Sequence, residues 1–297
     1  MIDSPNATYE VPLTAWHAEL SEEECRRAQL CLESGGVLLF PGLAFTLTDQ
    51  ERPLLDHPDP TEGRVKNVSY DPANDSLRGT ILEGTERETA RAMLARYSEC
   101  ARELILKICP AYAAHLVTKR ASWRPVEIEG RVPLSWRKDD RLIHVDAFPS
   151  TPTGGHRLLR VFTNIHPTGR ARVWVIGEEF QAVMERFHSK VPAYSAAVAY
   201  LLSMFHLTRG LRTSYDHTML AIHDLMKGDP QYQQSVRKTR LELHPGTTWV
   251  TFTDQCSHSA LAGQHALEQT FDLDPEGLLY PELSPLRVLE KYTETNS

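Results

Sequence analysis

The spacing of apolar residues changes several times along this chain, and each change marks a region. Residues 1–20 show no period and predict an irregular arm or an edge strand. From Ser21 the run Ser-Glu-Glu-Glu24 has the form of a capping box, so a helix is expected to about Leu32, ended by Gly35-Gly36. Val37–Phe40 is a short apolar run stopped by Pro41-Gly42, the pattern of a buried strand. Residues 50–84 are crowded with turn formers and predict a long excursion over a site, carrying Lys66–Tyr70 and Arg78. Thr85-Glu-Arg-Glu88 reads as a second capping box and opens a long amphipathic helix to about Ile108, where Pro110 interrupts it.

After Lys119-Arg120 the helical period gives way to short alternating runs: Trp123–Ile128, Leu142–Phe148, Leu158–Ile165 and Arg172–Ile176. Helical spacing returns between 178 and 237, notably over Ala193–Phe205 and Ser214–Lys227. Strands resume at Leu241–His244, turn at Pro245-Gly246 in type II fashion to form a hairpin with Thr248–Phe252, and end with Ala266–Asp272. A short last helix is expected from Ser284-Pro285. This order predicts a mainly β fold with flanking helices, a double-stranded β-helix (jelly roll, cupin-like) with a helical insertion. One domain over 1–297 is expected: 1–118 as helical scaffold and loop, 119–176 and 239–273 as jelly-roll strands, 177–238 as the insert, 274–297 as a tail.

Composition adds limits. With 41% hydrophobic and 24% charged residues the chain is an ordinary globular one, and no apolar run approaches a membrane span or a secretory leader. The five cysteines make no C-x-x-C and read as reduced packing residues of a cytosolic protein. A net charge of -7 argues against nucleic acid, yet residues 119–172 carry eleven basic against five acidic side chains. That window favours an anionic ligand.

Inside it lies Arg141-Leu-Ile-His144-Val-Asp146-Ala-Phe148. In extended backbone, residues two apart share a face, so His144 and Asp146 project together while Ile143 and Val145 pack the other way. Chance alone supplies roughly 0.7 His-x-Asp pairs in a chain of this composition, and a second one does occur at His57-Pro-Asp59. Its prolines exclude a central strand. One imidazole and one carboxylate make half of a non-haem iron site, which needs a further histidine. His206, His217 and His223 fall in the helical insert, and His244 adjoins the Pro245 turn. His258, just before the last strand, is placed to swing back; His265 is the reserve.

His144-Val-Asp146 with a distant His258 resembles the His-x-Asp…His signature of Fe(II)/2-oxoglutarate-dependent oxygenases. Lys66–Pro72, Ser122–Glu127, His144–Pro149, Arg157–Asn164, Met219–Lys227 and His258–His265 are similar to the Kdo 3-hydroxylases, which act on 3-deoxy-D-manno-oct-2-ulosonic acid in lipopolysaccharide. The resemblance implies Fe(II) held by His144, Asp146 and His258, with 2-oxoglutarate and O2 as cosubstrates and hydroxylation of Kdo at C3 in Kdo-lipid A. Many relatives place an arginine two residues after a glycine on the last strand. Here that stretch is Gly263-Gln-His265, so the cosubstrate is expected on Arg160 and Arg172, with Asn164 and Trp174 sharing their faces; solvent exposure or sugar binding remains the alternative for either arginine. Ser69, Tyr70, Arg120, Arg124, Arg137, Lys138 and Arg141 are the expected substrate residues. The expected partner is Kdo-containing lipid A or a related anionic sugar, met at the cytoplasmic face of the inner membrane. A different anionic substrate, or a sugar-acid-binding jelly roll without catalysis, are the other readings.

Overall fold

The computed structural model describes residues 8–63 and 65–294. In chain order its elements are β1 (Thr8–Glu10), α1 (Glu22–Glu33), β2 (Val37–Phe40), β3 (Val68–Asp71), β4 (Ser76–Arg78), α2 (Gly84–Ile108), β5 (Leu116–Arg124), β6 (Arg157–Asn164), β7 (Arg172–Ile176), α3 (Phe180–Phe187), α4 (Ala196–Met204), α5 (Ser214–Gly228), α6 (Pro230–Ser235), β8 (Thr239–Leu243), β9 (Thr248–Phe252), β10 (His258–Ala262), β11 (Ala266–Leu273) and α7 (Pro285–Glu294). Eight strands form one sheet in the order β1-β2-β9-β6-β11-β5-β3-β4, and three form a second, β10-β7-β8. Only β1 and β2 run parallel; the other pairs are antiparallel. Two facing sheets of mostly antiparallel strands make the expected jelly roll.

The two sheets meet face to face through large rings. Phe162 of β6 stacks on Trp249 of β9 at 5.0 Å, and Trp174 of β7 reaches across to Phe162 at 5.5 Å. Ile176, Leu243 and Ala260 from the small sheet and Val37 and Leu39 from the large one complete this layer. The outer face of the large sheet is covered by α1 and α2. The insert helices α3, α5 and α6, with α7, cover Ile143, Val145 and Val175 on the other side. Helices on both outer faces leave the space between the sheets as the site.

Several local expectations hold for identifiable reasons. Ser21 caps α1, accepting from the Glu24 N–H while the Glu24 carboxylate accepts from the Ser21 N–H at 2.8 Å. Others do not hold. Thr85 is no cap: α2 starts at Gly84 behind Glu83, so Thr85 already lies in the first turn. The 50–84 excursion contains a hairpin, β3 with β4, that extends the large sheet beyond β5. Leu142–Phe148 forms no strand; its one ladder contact is a bridge between His144 and His258. The Pro245-Gly246 turn forms, with the Thr247 N–H donating to the His244 carbonyl at 3.0 Å and Gly246 at φ +86. It closes no hairpin, because β8 pairs with β7 while β9 pairs with β2 and β6, so the chain changes sheets there. The five cysteines form no disulfide. Among the described residues no helix is long and apolar enough to cross a membrane.

Candidate metal centre

His144 and His258 are partners of an isolated β-bridge tied by two backbone bonds, 144 N–H to 258 C=O at 3.0 Å and 258 N–H to 144 C=O at 2.8 Å. Their rings lie side by side, 4.8 Å between centroids. Two residues on, the Asp146 N–H donates to the Thr253 carbonyl at 2.8 Å, which sets the carboxylate on the same face. The ligating atoms of His144, Asp146 and His258 all lie within 4.8 Å of one another.

The donor set fits a divalent metal. The Nδ1 atoms of His144 and His258 face the carbonyls of Leu142 and Cys256 at 2.7 and 2.9 Å. A carbonyl only accepts, so each Nδ1 carries the proton and each Nε2 keeps its lone pair for an ion. Burial, reinforced by His144, pulls the His258 ring down to about 4, keeping it neutral as a ligand must be. Burial alone would raise the Asp146 carboxyl, but Arg160 with the His144 and His258 rings outweighs it and holds it well below the usual carboxylate range. Its Oδ2 has no hydrogen-bond partner. Two neutral imidazoles and one carboxylate on one face are the ligand type of non-haem Fe(II) oxygenases.

Cations surround this triad. Arg160 lies 3.2 Å from Asp146 Oδ2 and 3.4 Å from Glu268 Oε1, so it is engaged as the carboxylate's brace. Arg124 pairs with the other oxygen of Glu268. Arg172 is different. It is 3% exposed, donates to the Gly263 carbonyl at 3.2 Å, and forms no ion pair among the described residues. Its Nε is buried without a partner. Burial, with Arg124 nearby, pulls its guanidinium down to about 9. A Cβ on Gly263 would come within 2.8 Å of the Arg172 backbone, so glycine is what lets that carbonyl reach the guanidinium.

The remaining expected residues divide. Trp174 stacks on His258 at 4.7 Å. Asn164 is spent on the backbone, donating to the carbonyls of Arg170 and Leu243, and ties the ends of β6 and β8. Ser69 meets Ser122, Oγ to Oγ, at 3.2 Å. Tyr70, on the opposite face of β3, packs into the core beneath α2 and bonds Asp75, so it lines no site between the sheets. Arg120 faces Asp71 at 3.8 Å, Arg137 binds Asp224 at 2.8 Å, and Arg141 grips Asp139 at 2.8 Å. Lys138 offers its carbonyl to Lys66 Nζ at 2.8 Å.

His265 is not brought to the triad. It lies against Trp123 at 6.1 Å with its Nδ1 buried and unpartnered, and burial pulls it down to about 4. The unfolded chain takes up that proton near 6.5, so stability present above the ordinary value is lost as pH falls toward about 4, by up to about 3 kcal/mol. His265→Asn, which tolerates the φ of 55 found here, is expected to flatten the acid side of a Tm-against-pH curve of the metal-free protein. An unchanged slope would contradict this.

Sequence reasoning missed Gln233. From α6 its Oε1 accepts from the Ile143 N–H at 2.9 Å, and its Nε2 donates to the Ile143 carbonyl at 2.9 Å. One side chain thus stands in for the absent strand and locks the segment that carries His144. Gln233→Leu is expected to lower Fe(II) affinity roughly 10- to 100-fold with the fold retained, read by anaerobic titration. Unaltered affinity would show that the clamp is dispensable.

Against known proteins, the family model described as 3-deoxy-D-manno-oct-2-ulosonic acid (Kdo) hydroxylase matches residues 15–296. The chain is similar to solved structures of the Kdo hydroxylase KdoO, a non-heme Fe(II) alphaketoglutarate dependent dioxygenase. The apo form aligns at 40% identity and TM-score 0.92, over 97% of this chain and 96% of that one. The cobalt(II) complex aligns at 41% and 0.93, and the complex with alphaketoglutarate and Fe(III) at 41% and 0.92, both over the same shares of the two chains. A comparison with curated proteins finds no match.

Proposed function

The chain belongs to the Kdo hydroxylase family and is an Fe(II)/2-oxoglutarate-dependent dioxygenase, and from that premise we propose that it hydroxylates C3 of Kdo in Kdo-lipid A. The observation that carries the site assignment is the convergence of His144, Asp146 and His258 with both Nε2 lone pairs free beside a buried, unpaired arginine. A non-catalytic sugar-binding role is not favoured, since a binding module has no use for such a donor set.

When bound, the iron supplies oxygen activation, in which 2-oxoglutarate and O2 yield succinate, CO2 and one hydroxylated carbon. The chain's residues hold and orient. Leu142 and Cys256 fix the imidazole tautomers, and Arg160, backed by Glu268, keeps Asp146 ionised. Arg172 is the cation for the distal carboxylate of 2-oxoglutarate, since a guanidinium fork matches a carboxylate and this one, bonded only to the Gly263 carbonyl, has no carboxylate partner among the described residues. Arg124, with its unpartnered Nε, supports it. In this reading Arg160 serves the metal ligand and not the cosubstrate. Trp174 covers His258 and excludes water. Lys66 and Arg131 converge on Asp140 at 3.2 and 2.6 Å, and this cationic cluster, with Ser69 and Ser122, is read as the anionic substrate's approach.

The decisive experiment is incubation with Kdo-lipid A, Fe(II), 2-oxoglutarate and O2, followed by mass spectrometry. Gain of one oxygen on the Kdo unit with matching succinate supports the reading. Succinate formed on another acceptor, with Kdo-lipid A unchanged, refutes it.

A lipid-anchored acceptor also calls for a seat on the cytoplasmic face of the membrane. The α4 segment supports one: Tyr200, Phe205 and Leu207 are 64%, 66% and 63% exposed, beside an exposed Arg209. The Arg209 N–H and the Arg212 side chain bond the carbonyls of Ser150 and Pro149, a few residues after Asp146, so the apolar surface adjoins the site. The protein is expected to co-sediment with anionic phospholipid vesicles, and Tyr200→Ser with Phe205→Ser to release it; no binding by the native chain would refute the seat.

A further inference from the structure

C3 of Kdo stands between C2, which bears the C1 carboxylate, and C4, which bears a hydroxyl. An enzyme that presents C3 to a metal must therefore hold both groups close to its ligands. Arg172 is assigned to the cosubstrate, and the other arginines near the triad are already committed: Arg160 to Asp146 and Glu268, Arg124 to Glu268, Arg137 to Asp224, and Arg141 to Asp139. Lys227 is not. This lysine of α5 is 5% exposed, and its Nζ donates to the Arg137 carbonyl at 2.9 Å. No carboxylate lies within ion-pair distance of it among the described residues, although Asp140 and Asp146 are near enough to be felt. A buried ammonium without a paired anion is costly, and an incoming carboxylate offsets that cost.

One turn earlier on the same face of α5 stands His223. Its ring meets that of the ligand His144 edge to face, 5.4 Å between centroids. Nδ1 of His223 lies 2.9 Å from an oxygen of Asp224, whose other oxygen takes Arg137 at 2.8 Å. A carboxylate accepts, so Nδ1 carries the proton, and Nε2, which has no partner among the described residues, is left as an acceptor. The helix is fixed in this rotation by Met219, Ile222 and Met226 in the core and by the Thr213 capping box. A cation and a neutral acceptor one turn apart beside the metal ligands match the two groups that flank C3.

We propose that Lys227 and His223 form the subsite that brackets the reacting carbon, Lys227 pairing with the C1 carboxylate and His223 Nε2 accepting from the C4 hydroxyl. The assignment rests on the Kdo reading above and makes α5 a specificity element.

The test compares the native enzyme, Lys227→Met and Lys227→Arg on Kdo-lipid A and on the same lipid with its C1 acid reduced to the alcohol. On the natural acceptor Lys227→Met is expected to raise KM roughly 10- to 100-fold, the loss typical of one charge-assisted hydrogen bond. The anaerobic Fe(II)/2-oxoglutarate absorption band should keep its amplitude, and Lys227→Arg should recover most of the loss. On the reduced acceptor the native enzyme should fall by a similar factor and Lys227→Met no further. Equal losses of native enzyme and Lys227→Met on reducing the acid would overturn the proposal. So would a native enzyme indifferent to that reduction, a result that stands even if the methionine variant does not fold. Failure of the Kdo reading appears differently, as native enzyme that leaves Kdo-lipid A unoxidised, and it removes both.

Discussion

Asp146→Ala is expected to abolish hydroxylation, by a factor of roughly a thousand or more, and to remove the Fe(II)/2-oxoglutarate absorption band at iron concentrations that saturate the native protein. The size follows from charge. Asp146 is the one carboxylate of the donor set, and without it a dication meets two neutral imidazoles with the Arg160 guanidinium directly behind them. Attraction becomes repulsion inside a mostly buried site, where charges are poorly screened. Asp146→Asn separates charge from shape, because it keeps an oxygen in place and loses only the negative charge; it should fall nearly as far. The fold should persist in both, since Arg160 retains Glu268 at 3.4 Å. Retention of the band and of turnover in Asp146→Ala would refute the ligand assignment.

That carboxylate was legible in the sequence because alternation survives even where a strand does not. Ile143 and Val145 are buried against the insert helices, and His144 and Asp146 turn the other way, as period two requires. The strand itself was not legible as absent. What replaces its second partner is the side chain of Gln233, ninety residues away in the sequence, and no local pattern announces that exchange. β3 and β4 were hidden for the opposite reason: the prolines and glycines around them signal turns, and the hairpin gains its place from pairing with β5. Pro245-Gly246 suits a hairpin of β8 with β9, yet a type II turn serves equally to pass a chain from one sheet to the other.

The charged residues were harder still. Alternation brought Arg160 and Arg172 to the site without telling their duties apart, since that depends on which carboxylates the other strands bring. Glu268 of β11 lies opposite Phe162 in the β6 ladder and takes both Arg160 and Arg124. Among the described residues no carboxylate comes within ion-pair distance of Arg172. The histidines of the helical insert carry no ligand spacing of their own, and only the approach of α5 to His144 distinguishes His223.

The difference between the two arginines yields the second large effect. Arg172→Met is expected to raise KM for 2-oxoglutarate roughly 100-fold or more, while Fe(II) affinity without cosubstrate changes little. The guanidinium is buried, its Nε has no partner, and burial with the neighbouring Arg124 already pulls it down to about 9. An uncompensated buried charge destabilises the empty protein, so its apolar replacement should leave Tm unchanged or raise it. Loss of the cosubstrate without loss of stability is the pattern of a residue kept for its ligand. Arg172→Lys should recover only part of the affinity, because an ammonium cannot match both carboxylate oxygens as a planar fork does. Arg160→Met should behave in the opposite way. Removing it leaves burial free to raise the Asp146 carboxyl, so protons compete with Fe(II) for the ligand, Fe(II) affinity should fall first, and the apparent affinity for 2-oxoglutarate only as a consequence. Should Arg160→Met instead raise KM for 2-oxoglutarate at unchanged Fe(II) affinity, with Arg172→Met near native, the two roles would have to be exchanged.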